Sequence, residues 1–93
     1  MNTMHDLDTR RQRLRFRTSH TGTRETDILL GGFVEVRLER LDEARVSELE
    51  RLLATNDDRD ILDWITERAP VPPEFSTPAM SALIAYVRDR HQG

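Results

Sequence analysis

The residues best suited to chemistry lie between Arg10 and Phe33, in the run RRQRLRFRTSHTGTRETDILLGGF. Within it, His20-Thr21-Gly22-Thr23-Arg24-Glu25 joins a basic segment to an acidic one. Six arginines and no acids lie from Arg10 to Arg24, whereas Glu25 to Glu67 holds thirteen acids against five arginines, so the charge changes sign at a turn. A glycine there suits a backbone conformation that a residue with a Cβ resists, and polar side chains between two helix ends are held outward. The chemistry expected is recognition of a partner.

Bond-making chemistry finds no support in the other candidate groups. No Ser-His-Asp order, glycine-rich phosphate loop or pocket-like pair of carboxylates occurs, so no catalytic residue is expected. His5, His20 and His91 have no metal-ligand spacing. Asp57, Asp58, Asp60 and Asp63 match a calcium loop only in acid density, because Ile61-Leu62 stands where the loop needs its fixed glycine and ligands. These aspartates read as helix-capping and first-turn residues. The absence of cysteine excludes a disulfide framework, thiol catalysis and cysteine-ligated zinc.

Arg10, Arg13 and Arg17 fall on one face of the first expected helix. They can track phosphates, meet an acidic protein surface, or stay solvated. A formal charge of −3 over 93 residues gives no general drive toward nucleic acid, which favours the protein surface. No apolar run approaches the roughly 20 residues of a membrane span, and no apolar secretory core is seen near the N-terminus. A cytoplasmic protein without stable membrane insertion is expected.

Ninety-three residues suggest a single domain, 1–93, with 1–7 as a flexible tail and a modest core. Caps and apolar periodicity divide it into about five helices. Asp8 or Thr9 is expected to cap the first, which runs to about Ser19 and is poorly amphipathic, so that either Leu14 or Phe16 must face away from the core. The second opens near Thr23, with Glu25 and Asp27 in its first turn and a stripe of Leu29, Phe33 and Val36. Its Gly31-Gly32 pair predicts close helix packing.

Asp42 caps the third helix, with Leu41 and Val46 spaced as a hydrophobic staple and an apolar face through Leu49, Leu52 and Leu53. Asn56 or Asp57 opens a short fourth helix carrying Ile61, Leu62, Trp64 and Ile65. Residues 69–73 hold three prolines and read as a loop. Thr77-Pro78 then starts a last helix with the face Met80, Leu83, Ile84 and Val87. The expected fold is all-α, a small five-helix bundle.

The spaced run Arg10-Arg11, Arg13-Leu14, Phe16-Arg17, His20, Gly22, Arg24-Glu25, Asp27, Leu29-Leu30-Gly31 and Phe33 resembles the start of the SdhE family. These are assembly factors that promote covalent flavin attachment to the flavoprotein subunit of succinate dehydrogenase. Asn56-Asp57-Asp58, Asp60-Ile61-Leu62 and Trp64 are similar to the family's acidic cap and Trp-bearing helix, and the resemblance covers roughly residues 8–90. The family's RGxxE signature falls on Gly22 and Glu25, with Thr21 at the leading arginine position. That exchange removes a planar five-donor cation and leaves Arg17 and Arg24 as the nearest guanidiniums. Arg59 stands where the family's acidic cap usually has proline.

The resemblance implies a non-enzymatic assembly factor whose partner is that flavoprotein subunit. It would stably bind no cofactor itself and would act on FAD held by the partner. There a histidine of the flavoprotein attacks the flavin ring methyl, and the small protein favours the conformer in which attack is possible. The implied partner-binding residues are Arg17, His20, Thr21, Gly22, Thr23, Arg24, Glu25 and Asp27. The rival reading is a nucleic-acid-binding or antitoxin-like regulator that uses the N-terminal arginine helix.

Overall fold

Short polar caps set the helix boundaries. The computed structural model describes residues 3–92, and these form five α-helices: α1 Thr3–Ser19, α2 Arg24–Arg37, α3 Glu43–Thr55, α4 Asp58–Ile65 and α5 Pro78–Gln92. Single 3₁₀ turns at Leu38–Arg40 and Pro73–Phe75 complete the order, with no strand among the described residues.

Thr23 caps α2 by accepting the Thr26 amide, and Asp42 caps α3 by accepting the Arg45 amide. Of the two residues expected to open α4, Asp57 is the cap, accepting from the Arg59 amide. Thr77 Oγ1 accepts the Met80 amide at 3.1 Å, and Glu48 reaches across from α3 to accept the Ala79 amide at 3.0 Å. Each cap satisfies a first-turn N–H that has no carbonyl partner within its own helix.

The first helix differs from expectation. It begins at Thr3, so the chain is already helical at Asp8 and Thr9 and neither opens it; residues 3–7, expected to be tail, belong to α1. Asp8 instead pairs with Arg11 one turn on, at 3.5 Å.

The core holds Leu29, Leu30, Phe33, Val34 and Leu38 from α2 and the turn after it, Val46, Leu49, Leu52 and Leu53 from α3, Ile61, Leu62 and Ile65 from α4, and Met80, Leu83 and Val87 from α5. Leu41 and Val46 are both buried, as the staple requires. Trp64 and Ile84 are half-buried at the edge of this core, with Trp64 stacked on Phe75 at 5.9 Å between ring centroids. Val36 is 59% exposed. The buried stripe of α2 runs through Thr26, Leu29, Leu30, Phe33 and Val34, and the rotation that buries Leu30 and Val34 carries Val36 out.

Leu14 points into the core, and Phe16 is the residue that turns away, 66% exposed. A Cβ on Gly31 would meet the Thr18 carbonyl oxygen at 3.4 Å, and one on Gly32 would overlap the Tyr86 hydroxyl. The glycine pair therefore lets α2 lie close against both α1 and α5, which fixes the α1–α2 hairpin whose tip is the loop 20–23.

Candidate functional site

Two carboxylates hold the loop at the adjacent residues Thr21 and Gly22. Asp27, in the first turn of α2, reaches back to accept the Thr21 amide at 2.7 Å and the Thr21 hydroxyl in a shorter bond. The Thr21 hydroxyl also lies 2.9 Å from the Thr23 carbonyl oxygen. These bonds, the hydroxyl of Thr21 foremost, hold the Asp27 carboxyl below its ordinary range. Asp27, which the resemblance implies as a partner-binding residue, is half-buried and supports the loop from beneath.

The second carboxylate comes from α4. Asp58 Oδ1 accepts from Arg17 Nη2 at 2.7 Å, and Asp58 Oδ2 accepts the Gly22 amide at 3.1 Å. Arg17 Nη2 also approaches the Leu53 carbonyl at 3.4 Å. Arg17 is thus an internal tie between α1, α3 and α4, not a free cation. His20 Nδ1 lies 2.7 Å from the Phe16 carbonyl oxygen, and its ring stacks on Phe16 with centroids 4.0 Å apart.

What projects is Gly22, Thr23, Arg24 and Glu25, all exposed. Gly22 does not adopt the positive φ expected of it, and a Cβ there would meet nothing within 4 Å. The turn is made without a left-handed residue. A missing side chain here bares the backbone, so the loop apex is open to close approach from outside.

Among the described residues Glu25 has one ion pair, to Arg68 at 3.7 Å, and both side chains are at least half exposed. Arg68 is carried there by the end of α4. Glu67 takes φ 62, its amide donates to Trp64 O at 3.1 Å, and the Arg68 amide donates to Asp63 O at 2.8 Å. This is a Schellman closure with glutamate where glycine is usual. Arg88 grips the Glu67 carboxylate with two nitrogens, which holds that carboxyl below its ordinary range.

The basic face of α1 is consumed inside the molecule. Arg10 donates to Glu50 at 2.7 Å, to Ser47 Oγ at 2.7 Å and to Glu43 at 3.3 Å. The Glu50 carboxylate keeps Arg10 protonated beyond its ordinary range. Arg11 donates to the Leu41 carbonyl and Arg15 to Glu39. The sign change in the sequence is therefore largely a fold device that clamps basic α1 onto acidic α3 and α4. Of the three arginines expected to form an outward face, only Arg13 lacks an ion-pair partner among the described residues, and the nucleic-acid reading is not supported.

Sequence reasoning missed Asp58, Arg68 and Phe16 as parts of this site. Asp58 was visible as one of four acids in and before α4 and as part of the acidic-cap resemblance, with nothing to tie it to the loop. Its partners lie 36 and 41 positions away, beyond the reach of local spacing. The helical angle between Leu14 and Phe16 did carry a signal that one of them is surplus to the core.

A family model described as the flavinator of succinate dehydrogenase matches residues 12–89. The chain belongs to this family. It is 39% identical over 88 residues to a protein of Acetobacter pasteurianus named FAD assembly factor SdhE, covering 95% of this chain and 80% of that protein. It is 33% identical over 87 residues to succinate dehydrogenase assembly factor 2-B, mitochondrial, of Drosophila melanogaster, and 37% identical over 84 residues to assembly factor 2 of Drosophila virilis. The matches cover 92% and 89% of this chain but only 56% and 53% of those two mitochondrial proteins. The matched span 12–89 includes the loop tied down by Asp27 and Asp58. Among the described residues no helix is long and apolar enough to cross a membrane.

Proposed function

We propose that this chain is an assembly factor that promotes covalent FAD attachment to the flavoprotein subunit of succinate dehydrogenase, acting without catalysing the reaction itself. The observation that carries the reading is the loop. Asp27 holds Thr21 and Asp58 holds the Gly22 amide, Gly22 presents no side chain at the apex, and Arg24 and Glu25 project beside it. A preformed loop loses little conformational entropy on docking, so more of its contact energy remains to favour one conformer of the partner.

Glu25 would accept hydrogen bonds from the flavoprotein, exchanging its long contact to Arg68 for shorter ones, while Gly22 lets the partner's backbone come close. Holding reacting groups in a near-attack arrangement can lower a barrier by several kcal/mol with no catalytic group on this chain. The FAD stays with the partner, and this chain needs no stable cofactor site of its own. In a bacterial cell the setting would be the cytoplasm, where the flavoprotein folds.

The test is co-expression of the flavoprotein subunit with the parent chain or with Glu25→Ala, followed by flavin fluorescence of the denatured subunit. Covalent flavin should fall sharply with Glu25→Ala. Stability should change by less than about 1 kcal/mol, the ordinary worth of an exposed ion pair. Equal flavin incorporation with both forms would remove Glu25 from the mechanism.

A further inference from the structure

The far end of α2 carries a second concentration of charge that the loop does not use. Two adjoining concavities of about 480 and 350 Å³ lie between the C-terminal part of α2 and α5, and both are lined by Arg37, Arg40, Tyr86 and Asp89. Arg90 adds a third guanidinium to the larger one. None of these three arginines has an ion-pair partner among the described residues, as is also true of Arg13, Arg24 and Arg59, whereas the other eight arginines do. Asp89 offsets one of the three charges, which leaves two net positive charges in a protein of formal charge −3.

Arginines do gather at helix C-termini to complement the dipole, and Arg37 and Arg90 sit in such positions. That role leaves their forked donors free and says nothing of Arg40, which lies in the 3₁₀ turn. The groove also has an apolar wall, formed by exposed Val36 and by Ala82 and Ala85. A free phosphate would use the guanidiniums and waste that wall. An acidic peptide segment with an apolar side chain would use both.

The groove and the loop are joined along α2. Glu25 and Val36 are eleven residues apart, three turns, which places them within roughly 20° of one another around the helix and roughly 17 Å apart along it. Ile28 is exposed on α2 between them, and Ile28 and Val36 are two of the three large exposed apolar side chains among the described residues. A stable interface buries about 800 Å² per partner, and the chain exposes 5939 Å² in all. Roughly a seventh of the surface must therefore be covered, more than four loop residues supply.

We propose that the flavoprotein subunit lies along this α2 stripe and places an acidic, apolar-anchored segment in the Arg37–Arg40–Arg90 groove while its flavin-bearing region meets the loop. This rests on the reading that the flavoprotein is the partner. The groove would hold the partner in place, and the loop would select its conformer.

Calorimetric titration of the full chain with the flavoprotein subunit, at low and at high salt, tests it. Arg37→Gln/Arg40→Gln should bind at least about ten-fold more weakly at low salt, with a smaller salt dependence than the parent. Gln12→Glu/Ser81→Glu reaches the same net charge of −5, from −3 by two added negatives instead of two lost positives, at exposed positions outside the groove; it should bind like the parent. Equal weakening by both double variants would reduce the effect to long-range repulsion and overturn the proposal. Parent-like binding by Arg37→Gln/Arg40→Gln, with Glu25→Ala still failing to support flavin attachment, would overturn the groove and leave the assembly-factor reading standing. Failure of the parent chain to bind the flavoprotein would overturn both. Millimolar inorganic phosphate that binds the parent but not the arginine variant, with flavoprotein affinity unchanged between them, would reassign the groove to a small anion.

Discussion

Asp58 accepts the Gly22 amide at 3.1 Å across 36 residues of sequence, and this bond ties the loop apex to the first turn of α4. The same carboxylate holds Arg17 at 2.7 Å through its other oxygen. One side chain thus couples the end of α1, the loop and α4. The position of the loop depends on how α4 packs against the α1–α2 hairpin, so a change at Asp58 can move the loop without touching a loop residue.

Asp58→Ala is expected to release this tether. The Asp58 side chain is 18% exposed and Arg17 37%, so the charge-assisted bonds are partly screened. A loss of about 1–2 kcal/mol is expected, toward the lower end for hydrogen bonds to charged groups. Urea denaturation reads the stability, and amide exchange reads the loop. The Gly22 amide should exchange faster in the variant, and an unchanged exchange rate would show that the contact does not restrain the loop.

Acid should weaken the loop and the α4 closure together. Thr21 holds Asp27, and Arg88 holds Glu67, below the ordinary values of 3.8 and 4.5. A carboxyl whose folded pKa is depressed contributes stability that is present above its unfolded pKa and lost as pH falls through the folded one. Stability should therefore be insensitive to these two groups above about pH 5 and decline below about pH 4.5. Asp27→Asn and Glu67→Gln should each flatten that decline, measured as the urea midpoint at a series of pH values. An acid limb as steep in the double variant as in the parent would assign it to other carboxylates.

Much of the fold was legible because its signals are local. Thr23, Asp42 and Thr77 cap their helices from within three residues, and the Gly31-Gly32 pair announced a close approach that Thr18 and Tyr86 now account for. The start of α1 was misjudged because Asp8 and Thr9 are good capping residues that the helix runs through. At the loop, Gly22 and Glu25 are exposed as expected, but the way the loop is built was misread. Gly22 suggested a left-handed turn on average grounds, whereas the turn is made by side-chain bonds from Asp27 and Asp58. The outward arginine face failed for a related reason. Helical spacing shows which residues share a face, but Glu43, Glu50 and Asp58 decide what that face meets, and they arrive through tertiary packing.

Thr21→Arg is expected to place a cation at the loop position where the resemblance to SdhE implies an arginine. The Thr21 amide would still donate to Asp27, while the hydroxyl bonds to Asp27 and to the Thr23 carbonyl would be lost. Folding stability should fall by about 1 kcal/mol, the net value of an ordinary hydrogen bond. Affinity for the flavoprotein subunit should rise by about 1.5–3 kcal/mol if the new guanidinium reaches a carboxylate of the partner. Calorimetry and a flavin-attachment time course on both forms would decide, and no change in either affinity or rate would mean that position 21 is not a contact in this protein.

Gly32→Ala tests the closeness of α2 and α5. A Cβ at position 32 would overlap the Tyr86 hydroxyl, and the ring carbon behind that hydroxyl lies 3.4 Å away. Tyr86 packs edge-on against Phe33 at 5.8 Å, so its ring cannot swing aside without losing that contact. Against this cost stands the helix propensity of alanine over glycine, about 1 kcal/mol. In the parent the overlap should win, with a net loss of about 1 kcal/mol or more, as for other small-to-large changes in packed sites. In a Tyr86→Phe background the overlapping atom is gone and the next lies at ordinary contact distance, so Gly32→Ala should become neutral or stabilising by up to about 1 kcal/mol. Thermal denaturation of the four proteins in a double-mutant cycle measures the coupling, and additivity of the two substitutions would show that the helices can part at no cost.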